Sequence, residues 1–392
     1  MVIYILGDTS FLGINFYIFM KKQYNEIYLI NYNNIECLDY IKDDDILINF
    51  CGINKGDSYN KFYEANYVFL QNIIQKINTI PFFVHISSLM VNGFENIELN
   101  ELSNDKRWFI ESKLAGEKLL KENYNNNKLC IIRPSNIYGY NCLPYYNNII
   151  TTLIYEKITK NNKINKINSK CIRNFISINE FNNCLNGVIK DKKSGYYNII
   201  SNNDTNLENI LKFIYDNKIP NHIDIYNGEY DKMNKNTEYN NIIINENLIE
   251  NLNKLENDMT IFLHLKEQIF FNKLDILSQP RGDMIEINNL ESKRLYKITL
   301  TKHSVRGNHY HNKQIEEFFT NSGRVLYLLS HKDNSNIIYN IIINKNCTIK
   351  ILPNIIHTLI NDFYNNLPEI IISSTQEYIK NEIPDTEYIS II

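Results

Sequence analysis

The chain has 392 residues, long for one domain and comfortable for two. Its formal net charge is −3 with no strongly basic block, which argues against nucleic acid as the main partner. No run of about 18 apolar residues occurs, so no transmembrane helix or membrane partner is expected.

Met1 to Leu6 is an apolar run that breaks at Gly7-Asp8-Thr9-Ser10-Phe11-Leu12-Gly13 and is followed by an apolar-periodic stretch, Ile14 to Met20. That reads as strand, tight turn and helix, an arrangement suited to a nucleotide pyrophosphate. Opening on a core strand leaves no room for a signal peptide. Seven scattered cysteines, never in a C-x-x-C pair, read as reduced thiols, so a cytoplasmic location is expected.

Glu26 to Ile30 reads as a second strand. At its end, Asn31-Tyr32-Asn33, stands neither the acid that binds an NAD ribose nor the base that favours NADP, so the choice stays open there. Asp45 to Gly52 is a third strand, a helix spans about Asn60 to Ile77, and Phe82 to Ser88 is a strand ending in hydroxyls. Asp105 to Asn123 is a helix, and Leu129 to Pro134 a further strand. The alternation predicts an α/β, Rossmann-like, doubly wound parallel sheet. Tyr215 to Asp258 is polar and reads as a solvated lobe or loop, while Met259 to Phe271 has helical spacing and closes the first domain. Beyond it come short alternating strands: Met284 to Ile287, Arg294 to Thr301, Arg324 to Leu329, Ile337 to Ile343, Thr348 to Leu352 and Glu369 to Ser373. They predict a small antiparallel barrel or sandwich, with the domain boundary placed between residues 271 and 272.

The first domain resembles the extended short-chain dehydrogenase/reductases that act on nucleotide sugars. The matching residues are the G-x-x-S-F-L-G turn, the Asn49–Gly52 strand end, Ser88 five residues before Gly93, Ile132-Arg133-Pro134-Ser135-Asn136-Ile137-Tyr138-Gly139, and Arg173-Asn174-Phe175-Ile176-Ser177-Ile178-Asn179. The resemblance implies cofactor binding by Gly7, Ser10, Phe11, Leu12, Gly13, Asn49, Cys51, Lys113 and Pro134, and substrate binding by Asn136 and Arg173. It also implies a catalytic Ser88 and a Tyr-x-x-x-Lys pair. Lys113 matches that pair, but Phe109 stands at the tyrosine position and has no acidic proton. Three readings follow. The domain binds cofactor and reduces poorly; another donor serves (Ser88, a water on Lys113, or one of Tyr138, Tyr140 and Tyr145); or the domain is a structural remnant.

In the second domain, Arg306-Gly307-Asn308-His309-Tyr310-His311 precedes Glu316 and Gly323 in the H-x-H-x₄-E-x₆-G spacing of a cupin, here a jelly-roll barrel. Strand alternation puts His309 and His311 on one face, where Glu316 can meet them. Pro353-Asn354-Ile355-Ile356-His357 supplies a further imidazole. His309, His311, Glu316 and His357 suit Zn²⁺ or another divalent metal, and the alternative is a hydrogen-bonded polar cluster. Arg306-Gly307-x-His309 also resembles the segment of sugar-nucleotide epimerase and ketoisomerase cupins, where the histidine is a base and the arginine pairs with a pyrophosphate. His309 is thus read as ligand or base.

Reductase and cupin together resemble the bifunctional capsule-precursor UDP-sugar enzymes, with matches extending to Leu274–Asp283 and Pro384–Tyr388. The resemblance implies a homodimer acting on a UDP-activated amino-deoxy sugar. The cupin epimerises C3 of a UDP-2-acetamido-2,6-dideoxy-4-hexulose, and the reductase reduces C4 with NADPH, NADH being the alternative. With Phe109 at the tyrosine position, a 3-epimerase with a reductase-defective domain is the second reading. A sugar 3,4-ketoisomerase and a non-catalytic carbohydrate-binding cupin on a Rossmann scaffold are others.

Overall fold

A computed structural model describes residues 1–94, 102–228, 231–232, 239–274, 276–279, 282–285, 292–375 and 385–392. Arg281 of the expected junction, Glu286 and Ile287 of the expected first cupin strand, and Pro384 of the tail lie outside the described residues. The chain divides into two compact units, Met1–Met259 and Thr260–Ile392.

In the first unit a seven-stranded sheet runs Asn240–Ile244, Gly195–Ser201, Leu129–Pro134, Phe82–Ile86, Ile46–Asn49, Ile3–Leu6, Ile27–Ile30, with every pairing parallel. Its central strands are buried along their whole length, as near-continuous apolar runs must be when helices cover both faces. From Ile3–Leu6 the chain winds outward to Ile27–Ile30, then crosses back to Ile46–Asn49 and proceeds the other way. The crevice where ligands gather in such sheets therefore lies past Leu6 and Asn49. Two expectations are corrected. The polar stretch is not all loop: Asn240–Ile244 joins the main sheet beside Gly195–Ser201, carried by the β-branched run Ile242-Ile243-Ile244 inside otherwise polar surroundings. The helix expected to reach Phe271 is Leu248–Glu267, and Ile269–Lys273 is instead a strand paired with Cys347–Ile351.

The second unit is the expected cupin fold, two five-stranded antiparallel sheets. One runs Ile269–Lys273, Cys347–Ile351, Glu316–Ser322, Glu369–Ser374, Arg294–Thr299, and the other Tyr339–Asn344, Arg324–His331, Ile355–Asn361, Ser304–His311, Thr386–Tyr388. Ile298, Phe318, Ile349, Ile370 and Ile372 of the first pack with Val325, Tyr327, Leu329, Ile355 and Leu359 of the second. Phe318 touches both Tyr327 and His357 edge-on, so the polar cluster lies between the sheets beside this core.

Candidate functional sites

In the first unit, Ser10 caps the helix Phe11–Lys21 and its Oγ accepts the Gly13 N–H at 3.4 Å. A Cβ on Gly13 would stand 2.4 Å from the Gly7 carbonyl oxygen, so the close crossing of strand and helix requires glycine there. The opening N–H groups of a helix lack partners within it and attract an anion. Asn49 uses its side chain internally: Oδ1 accepts the Cys51 N–H at 2.9 Å, and Nδ2 lies 3.1 Å from His85 Nδ1.

Phe109 and Lys113 are one turn apart on the buried side of the helix Asn104–Asn123. Lys113 Nζ lies 3.5 Å from the Ile86 carbonyl oxygen, at the end of the strand that leads to Ser88. Burial lowers the Lys113 pKa to about 8, against the opposing pull of Glu117 and Cys51. Glu117 is held in turn by Arg133, whose Nε lies 3.0 Å from Glu117 Oε1 and whose Nη1 donates to Asn92 at 2.7 Å. Ser88 Oγ accepts the Met90 N–H at 3.2 Å. Phe109 and Met90 line one cavity of about 830 Å³, together with Ile53, Asn54, Lys55 and Asp57. Where a tyrosine would offer a hydroxyl, the cavity meets a ring packed edge-on against Phe62 at 6.4 Å.

Of the alternative tyrosine donors, Tyr138 is buried and bonded to Glu246, and Tyr145 donates to Glu156 at 3.1 Å. Each phenol is thus committed to a carboxylate, and burial raises both pKa values first of all. Asn136 and Arg173 are not among the residues lining the Phe109 cavity. The Asn136 amide donates to the Asn174 carbonyl at 3.0 Å, and Arg173 Nη1 to the Ile172 carbonyl at 3.0 Å.

Sequence reasoning missed Asn66. A π-helical segment, Glu64–Val68, turns this asparagine inward. Its Oδ1 accepts the Ile53 N–H at 3.2 Å, and its Nδ2 donates to Ser112 Oγ at 3.0 Å, tying the cavity wall to the Lys113 helix. In the sequence Asn66 is one of several polar residues of this helical stretch, so nothing local marks it.

In the second unit, His309, His311, Glu316 and His357 converge, with their ligand atoms all within 4.8 Å of one another. Glu316 Oε2 lies 3.3 Å from His311 Nε2 and 3.2 Å from His357 Nε2. The other oxygen, Oε1, accepts from Tyr296 at 3.0 Å and Gln314 at 2.9 Å. His357 Nδ1 donates to the Ile355 carbonyl at 3.3 Å, which leaves its Nε2 lone pair facing a carboxylate. His309 Nδ1 and His311 Nε2 are buried with no hydrogen bond among the described residues. Nitrogen lone pairs aimed at a carboxylate and at one another fit a cation better than they fit each other, and an N₃O set suits a first-row divalent ion. Burial alone would raise the Glu316 pKa, but His311 and His357, when protonated, donate to the carboxylate and hold it far below the carboxylate range. Burial, with His357 and His311, lowers His309 to about 4.

A β-bulge arranges Arg306. Arg306 pairs with Leu359 and His309 with His357, although three positions separate Arg306 from His309. In a regular strand that odd spacing puts them on opposite faces; the extra residue at Gly307-Asn308 returns them to one face. Gly307 has φ +105°, and a Cβ there would meet the His357 carbonyl oxygen at 2.3 Å. Arg306 is exposed, and its charge acts on the Tyr296 phenol that holds Glu316. Tyr388 of the tail stacks edge-on against His309 at 5.5 Å.

A Rossmann unit with a buried lysine at its crevice defines a nucleotide-dependent class. Residues 6–201, half of the chain, match the NAD dependent epimerase/dehydratase family, and the protein belongs to it. Residues 278–387 match the polysaccharide biosynthesis C-terminal domain. No curated protein matches the chain significantly. Among solved structures, CapF, a capsular polysaccharide assembling protein from Staphylococcus aureus, is 19% identical over 99% of this chain and 100% of its own, with a TM-score of 0.45. MoeE5 in complex with UDP-glucose and NAD is 12% identical over 66% of this chain and 98% of its own, with a TM-score of 0.52, a likeness of fold. The QdtA 3,4-ketoisomerase from Thermoanaerobacterium thermosaccharolyticum is 23% identical over 29% of this chain and 83% of its own, with a TM-score of 0.25. No described helix is long and apolar enough to cross a membrane.

Proposed function

We propose that this chain epimerises C3 of a UDP-2-acetamido-2,6-dideoxy-4-hexulose in its cupin unit. The Rossmann unit holds a nicotinamide dinucleotide for C4 reduction, a step weakened by Phe109. The observation that carries the reading is the shared face of Arg306, His309 and the Glu316–His357 cluster.

The 4-ketone acidifies the C3 proton. His309, neutral at pH 7 because burial and two imidazoles depress its pKa, takes that proton through a ring nitrogen. Arg306 pairs with the diphosphate, which its planar guanidinium fits, and so fixes C3 near His309. A solvent-derived proton is added to C3 from the opposite face, and His309 releases the one it took to solvent. His311, Glu316 and His357 would hold a divalent metal, with Tyr296 and Gln314 fixing the carboxylate. Such an ion supplies Lewis acidity to a substrate oxygen. In the second reading His309 is a fourth ligand, favoured by the proximity of all four ligand atoms.

In the Rossmann unit Lys113 orients the nicotinamide ribose and Ser88 the C4 carbonyl. The dinucleotide supplies hydride. Phe109 offers no proton to the C4 oxygen, so reduction relies on Ser88 or on water held by Lys113.

The test is mass spectrometry of the UDP-4-keto sugar after incubation in D₂O. Deuterium at C3 supports the epimerase, and a further mass gain with reduced dinucleotide supports the reductase. No deuterium at C3 rejects the epimerase and leaves a binding module.

A further inference from the structure

We propose that the strand Thr386–Tyr388 is a working part of the cupin site, with Thr386 as the positioning residue that presents His311 to a metal ion. The inference rests on the metal-binding reading of His309, His311, Glu316 and His357 given above.

Register puts the strand there. Thr386–Tyr388 runs antiparallel to Ser304–His311, with Thr386 opposite His311, Glu387 opposite Tyr310 and Tyr388 opposite His309. Residues directly opposite in such a ladder share a face. Thr386 and Tyr388 therefore stand with the two histidines, and Glu387 stands on the other side. The contacts follow that division. Thr386 Oγ1 lies 3.1 Å from His311 Nδ1, and the Tyr388 ring meets His309. Glu387 instead accepts from Tyr310 at 2.5 Å and from Asn312 at 2.9 Å. Asp385, just before the strand, reaches the cluster indirectly. Its Oδ2 accepts the Lys313 and Gln314 N–H groups at 2.9 and 3.0 Å, and Gln314 in turn donates to Glu316.

The Thr386 hydroxyl decides what His311 can do. A neutral imidazole has one N–H and one lone pair, so His311 can ligate through Nε2 only with its proton on Nδ1. His311 is buried, and a buried N–H needs an acceptor. Thr386 Oγ1 is that acceptor. A hydroxyl can also donate, which satisfies the other tautomer, in which the Nε2 proton turns to Glu316 Oε2 at 3.3 Å. His357 has no such choice, because its Nδ1 faces the Ile355 carbonyl, which only accepts. With Thr386 present, both forms of His311 are satisfied, and binding an ion leaves no donor unpaired at Nδ1. Without the hydroxyl, the metal-bound form buries an unpaired N–H, while the metal-free form keeps its proton on Glu316. The loss therefore falls on metal affinity rather than on folding.

The test is titration of the intact chain with Zn²⁺ against a chromophoric chelator. Thr386→Val, close in shape and lacking the hydroxyl, should bind zinc about tenfold more weakly or worse, and Thr386→Ser should recover to within about threefold of wild type. Glu387→Ala loosens the same strand from the side away from the cluster, and should also stay within about threefold. Nitrogen–proton correlation NMR of the zinc-loaded wild-type chain should show the His311 proton on Nδ1. Wild-type affinity in Thr386→Val overturns the proposal, as does a His311 proton on Nε2 in the loaded chain. An equal loss in Glu387→Ala also overturns it, because attachment of the strand and not the hydroxyl would then set the affinity. If the wild-type chain binds no zinc, the metal reading falls and the proposal with it, a result distinct from a zinc-binding wild type whose Thr386→Val variant is unaffected.

Discussion

Phe109 stands one helical turn before Lys113 on the buried side of one helix, with its ring bordering the cavity that Met90 also lines. Phenylalanine offers no transferable proton at the position where the resemblance expects a tyrosine. Phe109→Tyr restores a hydroxyl at the cavity wall without altering the ring that packs on Phe62. Reduction of the 4-keto sugar, followed as oxidation of the reduced dinucleotide, should rise by about 10²-fold or more, the scale of general acid assistance. An unchanged rate would show that another donor already serves.

Lys113 gives a prediction about stability and pH. Its pKa is lowered by burial to about 8 from 10.5, so folding disfavours the charged form. Below about pH 8 the ammonium is present in both folded and unfolded chains, and the penalty is full. Between the folded and unfolded values the native chain binds fewer protons, so this contribution rises with pH. Glu117, Cys51 and His85 are the titratable groups coupled to it. Lys113→Met should therefore stabilise the first unit at pH 7 by about 2–3 kcal/mol, and the gain should shrink between about pH 8 and 10. Paired thermal melts across that range check the sign; a gain that grows with pH contradicts it.

The sequence made these two residues legible because a βα turn, strand-end hydroxyls and a fixed helical spacing are local patterns. The same holds for His309, His311 and Glu316, which period-two alternation and a short turn bring together. What it hid was non-local. Asn240–Ile244 carries three isoleucines in a polar surrounding, and its place in the sheet is set by the distant ladder of Gly195–Ser201. Asn66 reads as an ordinary helical residue until the π-helical segment turns it inward. Arg306 falls on the face opposite His309 by simple alternation, and only the bulge reverses that.

The carboxylate of Glu316 is oriented from behind by Tyr296 and Gln314, both on Oε1, while Oε2 faces the imidazoles. Outer partners of this kind fix a ligand's direction and are worth about 10–100-fold in metal affinity. Tyr296→Phe should weaken Zn²⁺ binding by that factor in competition with a chromophoric chelator, with the fold retained. His357→Ala should remove binding altogether. If His309→Gln leaves affinity unchanged while abolishing C3 exchange, the imidazole is the base; if affinity falls with exchange, it is a ligand.

Gly307 is where sequence, strain and site meet. Its φ of +105° disfavours any L side chain, and an added Cβ would lie 2.3 Å from the His357 carbonyl oxygen. Gly307→Ala must therefore shift either the bulge or the strand Ile355–Asn361, at a cost of about 2–4 kcal/mol. Relaxing the bulge would turn Arg306 away from the face it shares with His309, while moving the other strand would displace His357. Either way, C3 exchange should fall further than the loss of folded protein explains. Thermal melting and deuterium incorporation, measured on the same preparation, separate the two effects. A variant that melts lower and exchanges normally would mean that the bulge serves the fold and that Arg306 does not guide the sugar.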